Sequence, residues 1–273
     1  MTQSQTIPVV MAFGGSDPTG GAGLQADIEA LASMGCHAAT IVTAITIQDT
    51  QDVKSYAPLD AELIMEQARA VLEDMPVAAF KIGMLGSSDA VEAIHTLLTD
   101  YPDVPVVFDP ILSSGRGTEL ADEDVPEAMS SLLLPLATVL TPNSLEARAL
   151  VHGADSLDAC AMALLERGCE FVLITGTHEN TPKVINTLYG NNRMLETFTW
   201  ERLAGSFHGS GCTLAASIAG LLAQGMEPFS AIHEAQEYTW ETLNNSYRVG
   251  MGQALPNRLF WARGDDDANS NEQ

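Results

Sequence analysis

Short runs of β-branched and other apolar residues alternate along the chain with longer stretches in which apolar residues recur at helical spacing. This alternation is typical of βα units, in which the strands form a mostly parallel sheet and the helices cover its faces. The pattern predicts strands over 7–13, 38–46, 77–83, 104–109, 137–141 and 170–175. It predicts helices over 22–34, 60–73, 88–99, 121–133, 143–151, 156–167, 210–223 and 228–246.

Two further apolar runs, 184–190 and 193–200, are separated by Asn191 and Asn192. Asparagine tolerates the positive φ angles of tight turns, so these runs predict a β-hairpin. No Pro-, Gly- or Ser-rich linker and no internal repeat divides the chain. We therefore expect a single α/β domain over 1–263, a three-layer α/β/α sandwich with a central, mostly parallel sheet. The acidic segment 264–273 is predicted to be a disordered tail.

The charge of the chain is extreme, with 12 Lys and Arg against 36 Asp and Glu, a formal net charge of −24. Such a surface repels nucleic acid and anionic membranes, so neither is expected as a partner, and it suggests a salt-tolerant source. No apolar run approaches the ~18 residues of a membrane span, and the start lacks the pattern of a signal peptide. The four cysteines form no CxxC pair or metal-ligand spacing. These features indicate a cytoplasmic protein with reduced thiols.

Ligands of such sheets bind beyond the carboxyl ends of the strands, so the loops that follow strands are the candidate sites. The first, residues 14–27, is rich in glycine and carries Asp17 and Asp27, which we expect to reach a small polar molecule. It can also be a flexible connection without a ligand. Residues 21–26 fit the G-x-G-x-x-A dinucleotide pattern, but Phe13 ends the strand eight residues earlier. A dinucleotide-dependent oxidoreductase is therefore kept only as an alternative.

Three later loops offer single candidates. Gln48 carries a donor and an acceptor suited to the edge of a heterocycle, although polar strand ends are common. Met84 can pack on a flat ring or belong to the core. Asp109 ends a strand and can face a magnesium ion or its bound water, or act as a cap.

Asn143 and Glu146 lie one helical turn apart at the start of a predicted helix. They can form an N-terminal cap with a capping-box acid. They can equally present oxygens that hold Mg²⁺ beside a triphosphate. The residues alone leave both interpretations open.

The stretch FHGSGCT, residues 207–213, leads into an apolar helix. Gly209, Ser210 and Gly211 precede or open that helix, where unpaired N–H groups and the helix dipole favour a phosphate or developing phosphoryl charge. The same dipole predicts that the thiol of Cys212 has a lowered pKa and can be a thiolate at neutral pH. Tight packing that requires small residues is the competing explanation, and His208 beside them is interpreted as structural.

Six segments, taken in order and at their spacings, resemble one family. They are GGSDPTGGAGLQAD, TAITIQDT, KIGML, FDPILSSG, TPNSLEA and HGSGCT. The chain is similar from about residue 9 to 223 to the hydroxymethylpyrimidine/phosphomethylpyrimidine kinases of thiamine biosynthesis, within the ribokinase-like superfamily. The resemblance implies a ribokinase-like fold, a homodimer and transfer of a phosphoryl group from MgATP to 4-amino-5-hydroxymethyl-2-methylpyrimidine. Its monophosphate is then expected to receive a second phosphoryl group.

The resemblance also assigns roles to residues. A pyrimidine pocket is implied for Gly15, Asp27, Gln48, Met84 and Ile111. The magnesium and phosphate side is implied for Asp109, Asn143 and Glu146, and the anion hole for Gly209, Ser210 and Gly211. Cys212 stands where sugar kinases of the superfamily carry an aspartate base, and would accept the proton of the hydroxymethyl group or orient its hydroxyl.

One position departs from the family pattern. Thr175 opens Thr-Gly-Thr-His where the family commonly has Lys-Gly-Gly-His, so a lysine expected near the ATP phosphates is absent. Phosphate contacts must then come from elsewhere, or the second phosphorylation is weaker. A pyridoxal kinase and a non-catalytic pyrimidine-binding regulator remain alternatives.

Overall fold

The computed structural model describes residues 6–114 and 117–262. Their nine strands form a single sheet in the order β3-β2-β1-β4-β5-β6-β7-β8-β9. The strands are β1 Val9–Ser16, β2 His37–Gln48, β3 Val53–Pro58, β4 Val77–Ile82, β5 Val106–Phe108, β6 Val139–Leu140, β7 Phe171–Ile174, β8 Lys183–Gly190 and β9 Arg193–Glu201. The predicted tail 264–273 lies outside the described residues, and its disorder stays a prediction.

Eight α-helices connect or follow these strands within the described ranges. They are α1 Gly23–Ser33, α2 Ala61–Leu72, α3 Ser88–Leu98, α4 Val125–Ala128, α5 Ser144–Leu150, α6 Leu157–Glu166, α7 Ser210–Ala223 and α8 Pro228–Asn244. Buried residues of α2, α3, α5 and α6 pack on one face of the sheet, and those of α1, α7 and α8 on the other. The predicted three-layer α/β/α sandwich is therefore confirmed.

The six central strands run parallel, as predicted, and both edges of the sheet are antiparallel. On one side β7, β8 and β9 form a meander, in which the predicted hairpin turns at Asn191 and Asn192 with φ angles of 52° and 55°. On the other side β3 pairs with β2. The sequence pattern missed β3 because its segment, VKSYAP, carries one buried residue, Val53, and ends on proline.

The predicted helix 121–133 is shorter and less regular than expected. Regular α-helix covers only Val125–Ala128, followed by a π-helical turn over Met129–Leu133 and a 3₁₀ turn over Leu134–Leu136. Pro126 stands in the first turn, where a missing N–H is tolerated, and Pro135 lies in the 3₁₀ turn. The apolar spacing correctly predicts a helical segment here, but it does not predict the change from α- to π- and 3₁₀-type hydrogen bonds.

The strand register brings the candidate loops to one edge. Phe108 at the end of β5 pairs with Ile82 of β4 and Leu140 of β6. Asp109 therefore leaves the sheet beside Gly83 and Thr141, the residues that follow those strands.

No helix within the described ranges is long and apolar enough to cross a bilayer. All four cysteines are buried and free.

Candidate active site

A cavity of about 460 Å³ opens at the carboxyl ends of the parallel strands. The residues singled out in the sequence line this cavity, with the exception of Asp27. They are Gly15, Gln48, Met84, Asp109, Ile111, Asn143, Glu146, Thr175, Gly209, Ser210, Gly211 and Cys212. Segments up to 197 residues apart in the sequence thus meet around one volume large enough for a small molecule.

The start of α7 supplies an anion-binding surface. Gly209 has a φ of 85°, in the left-handed region, and its carbonyl accepts the first helical bond from Thr213 N–H at 3.0 Å. A Cβ atom at residue 209 would lie 1.9 Å from the carbonyl oxygen of Gly21, so no other residue fits without movement. The N–H groups of the first helical turn lack intrahelical partners and lie at the cavity. They can hold a phosphate or a transferring phosphoryl group.

A buried ion pair lies beneath that surface. Lys81 and Asp27 are 1% and 0% exposed, and Nζ lies 3.0 Å from Oδ1 and from Oδ2. Burial alone would lower the pKa of Lys81, but Asp27, Cys212 and Asp109 together raise it above its ordinary value. Lys81 is therefore a permanent cation in the cavity wall. Asp27, expected to touch the substrate, does not line the cavity, and its carboxylate contacts the ammonium group of Lys81 instead.

The thiol of Cys212 is not the low-pKa group that the helix dipole suggested. Burial raises its pKa to about 11; Lys81 opposes this change, and Asp27 and Asp109 add to it. Burial is the largest cause, and the two neighbouring carboxylates further disfavour a thiolate. At neutral pH Cys212 is therefore a thiol, and the expectation of a thiolate is wrong.

Asp109 and Glu146 are two buried carboxyl groups whose pKa values are both raised. Burial raises the pKa of Asp109 to about 6, with Lys81 opposing the change. Burial and repulsion from Asp109 raise the pKa of Glu146 to about 8. Asp109 also approaches the anion-binding surface, since a Cβ at Gly211 would lie 3.6 Å from its Oδ2. Asp109 and Glu146 could hold a divalent cation, which would offset the cost of burying two negative charges and their mutual repulsion.

Asn143 acts as the cap of α5. Its Oδ1 accepts the N–H groups of Leu145 and Glu146, each at 2.9 Å, and Glu146 Oε2 accepts Asn143 N–H at 2.8 Å. This complete capping box uses both lone pairs of the amide oxygen. The amide oxygen of Asn143 is therefore poorly placed to bind magnesium, whereas the Glu146 carboxylate lines the cavity.

Gln48 presents a fixed amide. Its Nε2 donates to Thr46 Oγ1 at 2.8 Å, and Thr46 in turn donates to the carbonyl of Ser16, also at 2.8 Å. Because the Thr46 proton is committed to a carbonyl, the amide nitrogen must face Thr46. Gln48 Oε1 is left buried with no partner among the described residues. An acceptor of this kind calls for a donor on the ligand.

Asp17, the other loop carboxylate expected to reach a ligand, is used to fold the glycine-rich loop. It accepts hydrogen bonds from Thr19 N–H, Thr19 Oγ1 and Ala22 N–H, and its Oδ2 lies 2.9 Å from His208 Nε2. Burial opposes ionisation, but His208 and these backbone groups lower the pKa of Asp17. The pair joins the loop after β1 to the segment before α7, which agrees with the structural role expected of His208.

Lys81 is the residue that reasoning from the sequence overlooked as a site residue. The sequence places it within the segment KIGML, without indicating a role for its side chain. A lysine inside an otherwise apolar strand, VAAFKI, was the available signal, because a charge is rarely buried without a partner. Its ammonium group gives the cavity wall a cation, whereas Thr175 at the same cavity carries no charge.

The fold and this cavity define a small-molecule kinase of the ribokinase-like class. The sequence model of the phosphomethylpyrimidine kinase family matches residues 17–257. A hydroxymethylpyrimidine/phosphomethylpyrimidine kinase of Mycobacterium leprae is 36% identical, over 93% of this chain and 95% of that protein. This chain belongs to the phosphomethylpyrimidine kinase family, as its motifs indicated.

Solved structures agree on the fold. The phosphomethylpyrimidine kinase of Clostridium difficile superposes with a TM-score of 0.74 at 32% identity, covering 87% of this chain and all of that one (100%). An ADP complex of Bacillus subtilis pyridoxal kinase superposes with a TM-score of 0.85 at 26% identity, covering 94% of this chain and 99% of that one. The sequence is more similar to the pyrimidine kinase, whereas the backbone superposes better on the pyridoxal kinase.

Proposed function

We propose that this protein transfers the γ-phosphoryl group of ATP to the hydroxymethyl group of 4-amino-5-hydroxymethyl-2-methylpyrimidine, and then phosphorylates the monophosphate. The observation that carries the proposal is the pairing, in one cavity, of an unpartnered Gln48 acceptor with the anion-binding start of α7. The exocyclic amino group of the pyrimidine is the donor that Gln48 Oε1 requires. Met84 and Ile111 supply apolar side chains for the ring faces.

Transfer forms a bond from the substrate oxygen to the γ-phosphorus and breaks the bond from that phosphorus to the β,γ-bridging oxygen. The N–H groups at Gly209, Ser210, Gly211 and Cys212 stabilise the charge on the transferring group. Because the transition state of phosphoryl transfer is loose, a strong base is not required. The neutral thiol of Cys212 orients the hydroxyl, and the hydroxyl proton leaves to water.

Magnesium fits the carboxylate pair of this cavity. Among the described residues no cluster of three or more His, Cys, Asp or Glu side chains could hold a metal ion alone. Asp109 and Glu146 offer two carboxylates, the number that Mg²⁺ commonly takes from a protein when phosphates and water supply the rest. The ion would neutralise phosphate charge. Asn143 serves the same site by fixing the first turn of α5, on which Glu146 stands.

The test is a steady-state assay with MgATP and, in turn, the pyrimidine, its monophosphate and pyridoxal, with separation of the products. We expect mono- and diphosphate from the pyrimidine, and a higher kcat/KM for it than for pyridoxal. Gln48→Ala should raise KM for the pyrimidine about tenfold, the effect of losing one hydrogen bond of roughly 1.4 kcal/mol. Pyrimidine binding without any phosphorylated product would instead indicate the non-catalytic regulator.

A pyridoxal kinase is the second candidate, because the backbone superposes well on the Bacillus subtilis enzyme. The phenolic hydroxyl of pyridoxal could also donate to Gln48. Higher kcat/KM with pyridoxal would establish this activity and overturn the first proposal. The dinucleotide alternative has no support, since α1 begins at Gly23, seven residues after β1 ends at Ser16, and the loop between them folds around Asp17.

We also propose that the protein forms a homodimer, as the family resemblance implies. Ile45 and Ile47 project from the same side of β2 and are 54% and 61% exposed, an arrangement that favours an apolar contact with another chain. Sedimentation of the wild type should give twice the chain mass, and Ile47→Glu should give monomers. A monomeric wild type at micromolar concentration would overturn this assignment. The cytoplasmic location stays a prediction.

A further inference from the structure

Arg258, which follows α8, is the largest fully buried side chain among the described residues, at 1% exposure. Its guanidinium makes four hydrogen bonds. Nε donates to Thr213 Oγ1 at 2.9 Å, one terminal nitrogen donates to Glu29 Oε2 at 3.0 Å and to Gly20 O at 3.5 Å, and the other donates to Gly21 O. Burial of a charged group is costly unless such partners compensate it. The four bonds therefore identify a specific arrangement rather than incidental packing.

Two of these partners, Thr213 and Gly21, both contact Gly209. Thr213 Oγ1 donates a hydrogen bond to Gly209 O at 2.8 Å and accepts one from Arg258 Nε. The carbonyl of Gly21, held by the other end of the guanidinium, lies against the Cα of Gly209, where a Cβ would approach it to 1.9 Å. Arg258 is thus bonded from both sides to groups that contact Gly209. Gly209 is the left-handed residue from which α7 starts.

We infer that Arg258 is a positioning residue for phosphoryl transfer. It does not line the cavity, and so it touches neither substrate nor nucleotide. It locks the glycine-rich loop against the first turn of α7, which keeps the N–H groups at residues 209–212 directed at one point. The planar, five-donor fork of arginine can span Thr213 and Gly21 together, whereas the ammonium group of lysine cannot.

These contacts predict that loss of Arg258 lowers kcat much more than it lowers the affinity for the pyrimidine. Displacement of a catalytic geometry by about 1 Å lowers rates by roughly 100-fold. Arg258→Met removes the fork, and Thr213→Val removes the relay to Gly209 while keeping the shape of the side chain. Both variants should lower kcat about 100-fold. The affinity for the pyrimidine, whose Gln48 and Met84 contacts lie on other loops, should change little. Arg258→Lys should recover only part of the loss.

Glu29→Gln is the matched control. It removes the ion pair of Arg258 but leaves the bonds to Thr213 and Gly21, and the Glu29 side chain is 42% exposed. Glutamine can still accept a hydrogen bond from Arg258, and water reaches the Glu29 side of the pair, so kcat should fall by less than about fivefold. Amide hydrogen exchange provides a readout besides activity. Residues 17–23 and 209–213 should exchange faster in Arg258→Met and Thr213→Val, but not in Glu29→Gln.

This inference rests on the proposed function, and the two fail differently. A wild-type protein that phosphorylates neither pyrimidine overturns the proposed function. An active wild type with kcat unchanged within about fivefold in both Arg258→Met and Thr213→Val overturns the positioning role. A folded Arg258→Met variant that loses kcat and pyrimidine affinity equally, with uniform exchange across the chain, also overturns it. If Arg258→Met fails to fold, Thr213→Val alone decides between these outcomes.

Discussion

Lys81 Nζ lies 3.0 Å from each carboxylate oxygen of Asp27, and this buried pair has its lysine in the cavity wall. The ion pair has two consequences. It keeps a lysine charged in the interior, and that charge opposes the rise in the pKa of Cys212. Asp27 neutralises much of the same charge. The cavity wall therefore gains little net positive charge from Lys81, and the carboxyl groups of Asp109 and Glu146 line it beside the anion-binding start of α7.

Lys81→Met should destabilise the protein strongly, because Asp27 is left buried without its cation. We expect the free energy of unfolding to fall by about 3–5 kcal/mol at neutral pH, measured by urea denaturation. The matched variant combines Lys81→Met with Asp27→Leu, leaves no buried charge at the pair and should regain most of the loss. Equal stability of the single and double variants would show that the pair contributes nothing through charge.

Cys212→Ala should lower kcat greatly with little change in KM for the pyrimidine, because the thiol contacts the reacting hydroxyl in the proposed mechanism. A loss below about tenfold, ~1.4 kcal/mol, would make Cys212 a packing residue.

The protonation state of Cys212 is tested separately, by its rate of alkylation as a function of pH. Because only the thiolate reacts, alkylation should be slow near pH 7 and rise toward the pKa of about 11. Cys212→Ala serves as the blank for the other three cysteines. A rate that levels off below about pH 8 would show that the helix start controls the thiol after all.

Glu146 should make the protein less stable as the pH rises. Its pKa is about 8 in the folded state against an ordinary value of 4.5. Between these values the folded state holds a proton that the unfolded state has released, so the free energy of unfolding falls with increasing pH across this window. Glu146→Gln should flatten the fall and raise the magnesium requirement of the reaction. An unchanged magnesium requirement would remove Glu146 from the magnesium side.

Asn143→Ala separates the cap from the metal site. The loss of a capping side chain should cost about 1 kcal/mol of stability. Since Oδ1 is occupied by two backbone N–H groups, the magnesium requirement should stay close to that of the wild type. A magnesium requirement raised as much as in Glu146→Gln would restore Asn143 as a ligand.

The net charge of −24 should make stability depend on salt. Screening weakens the repulsion among 36 carboxylates that 12 basic residues cannot neutralise, so the free energy of unfolding should rise from low to molar salt. Denaturation in NaCl at several concentrations checks this. A stability that stays constant or falls with added salt would contradict the interpretation of the acidity as salt tolerance.

The sequence predicted the layers and the central strands because period and length of apolar runs report directly on burial. It located most cavity residues because they stand at the ends of parallel strands, which a parallel sheet brings together, and it located residues 209–212 because glycines precede an apolar helix. It could not show which carboxylates bond to other groups of the protein and are therefore less available to a ligand. Asp27 and Asp17 look equivalent in the loop, yet one pairs with Lys81 and the other with His208 and backbone amides. Such pairings join residues 54 and 191 positions apart, and only the fold decides them.

The Arg258 contacts also set an order of events during synthesis. Arg258 and Gly21 are 237 positions apart, so the bond between them cannot form until residue 258 has left the ribosome. Strands β1 to β7 can pair before then, since domains gather structure from the N-terminus as the chain emerges. The glycine-rich loop, although made first, acquires its final position against α7 late. A nascent chain that has folded most of its sheet is therefore still unable to hold a phosphoryl group correctly.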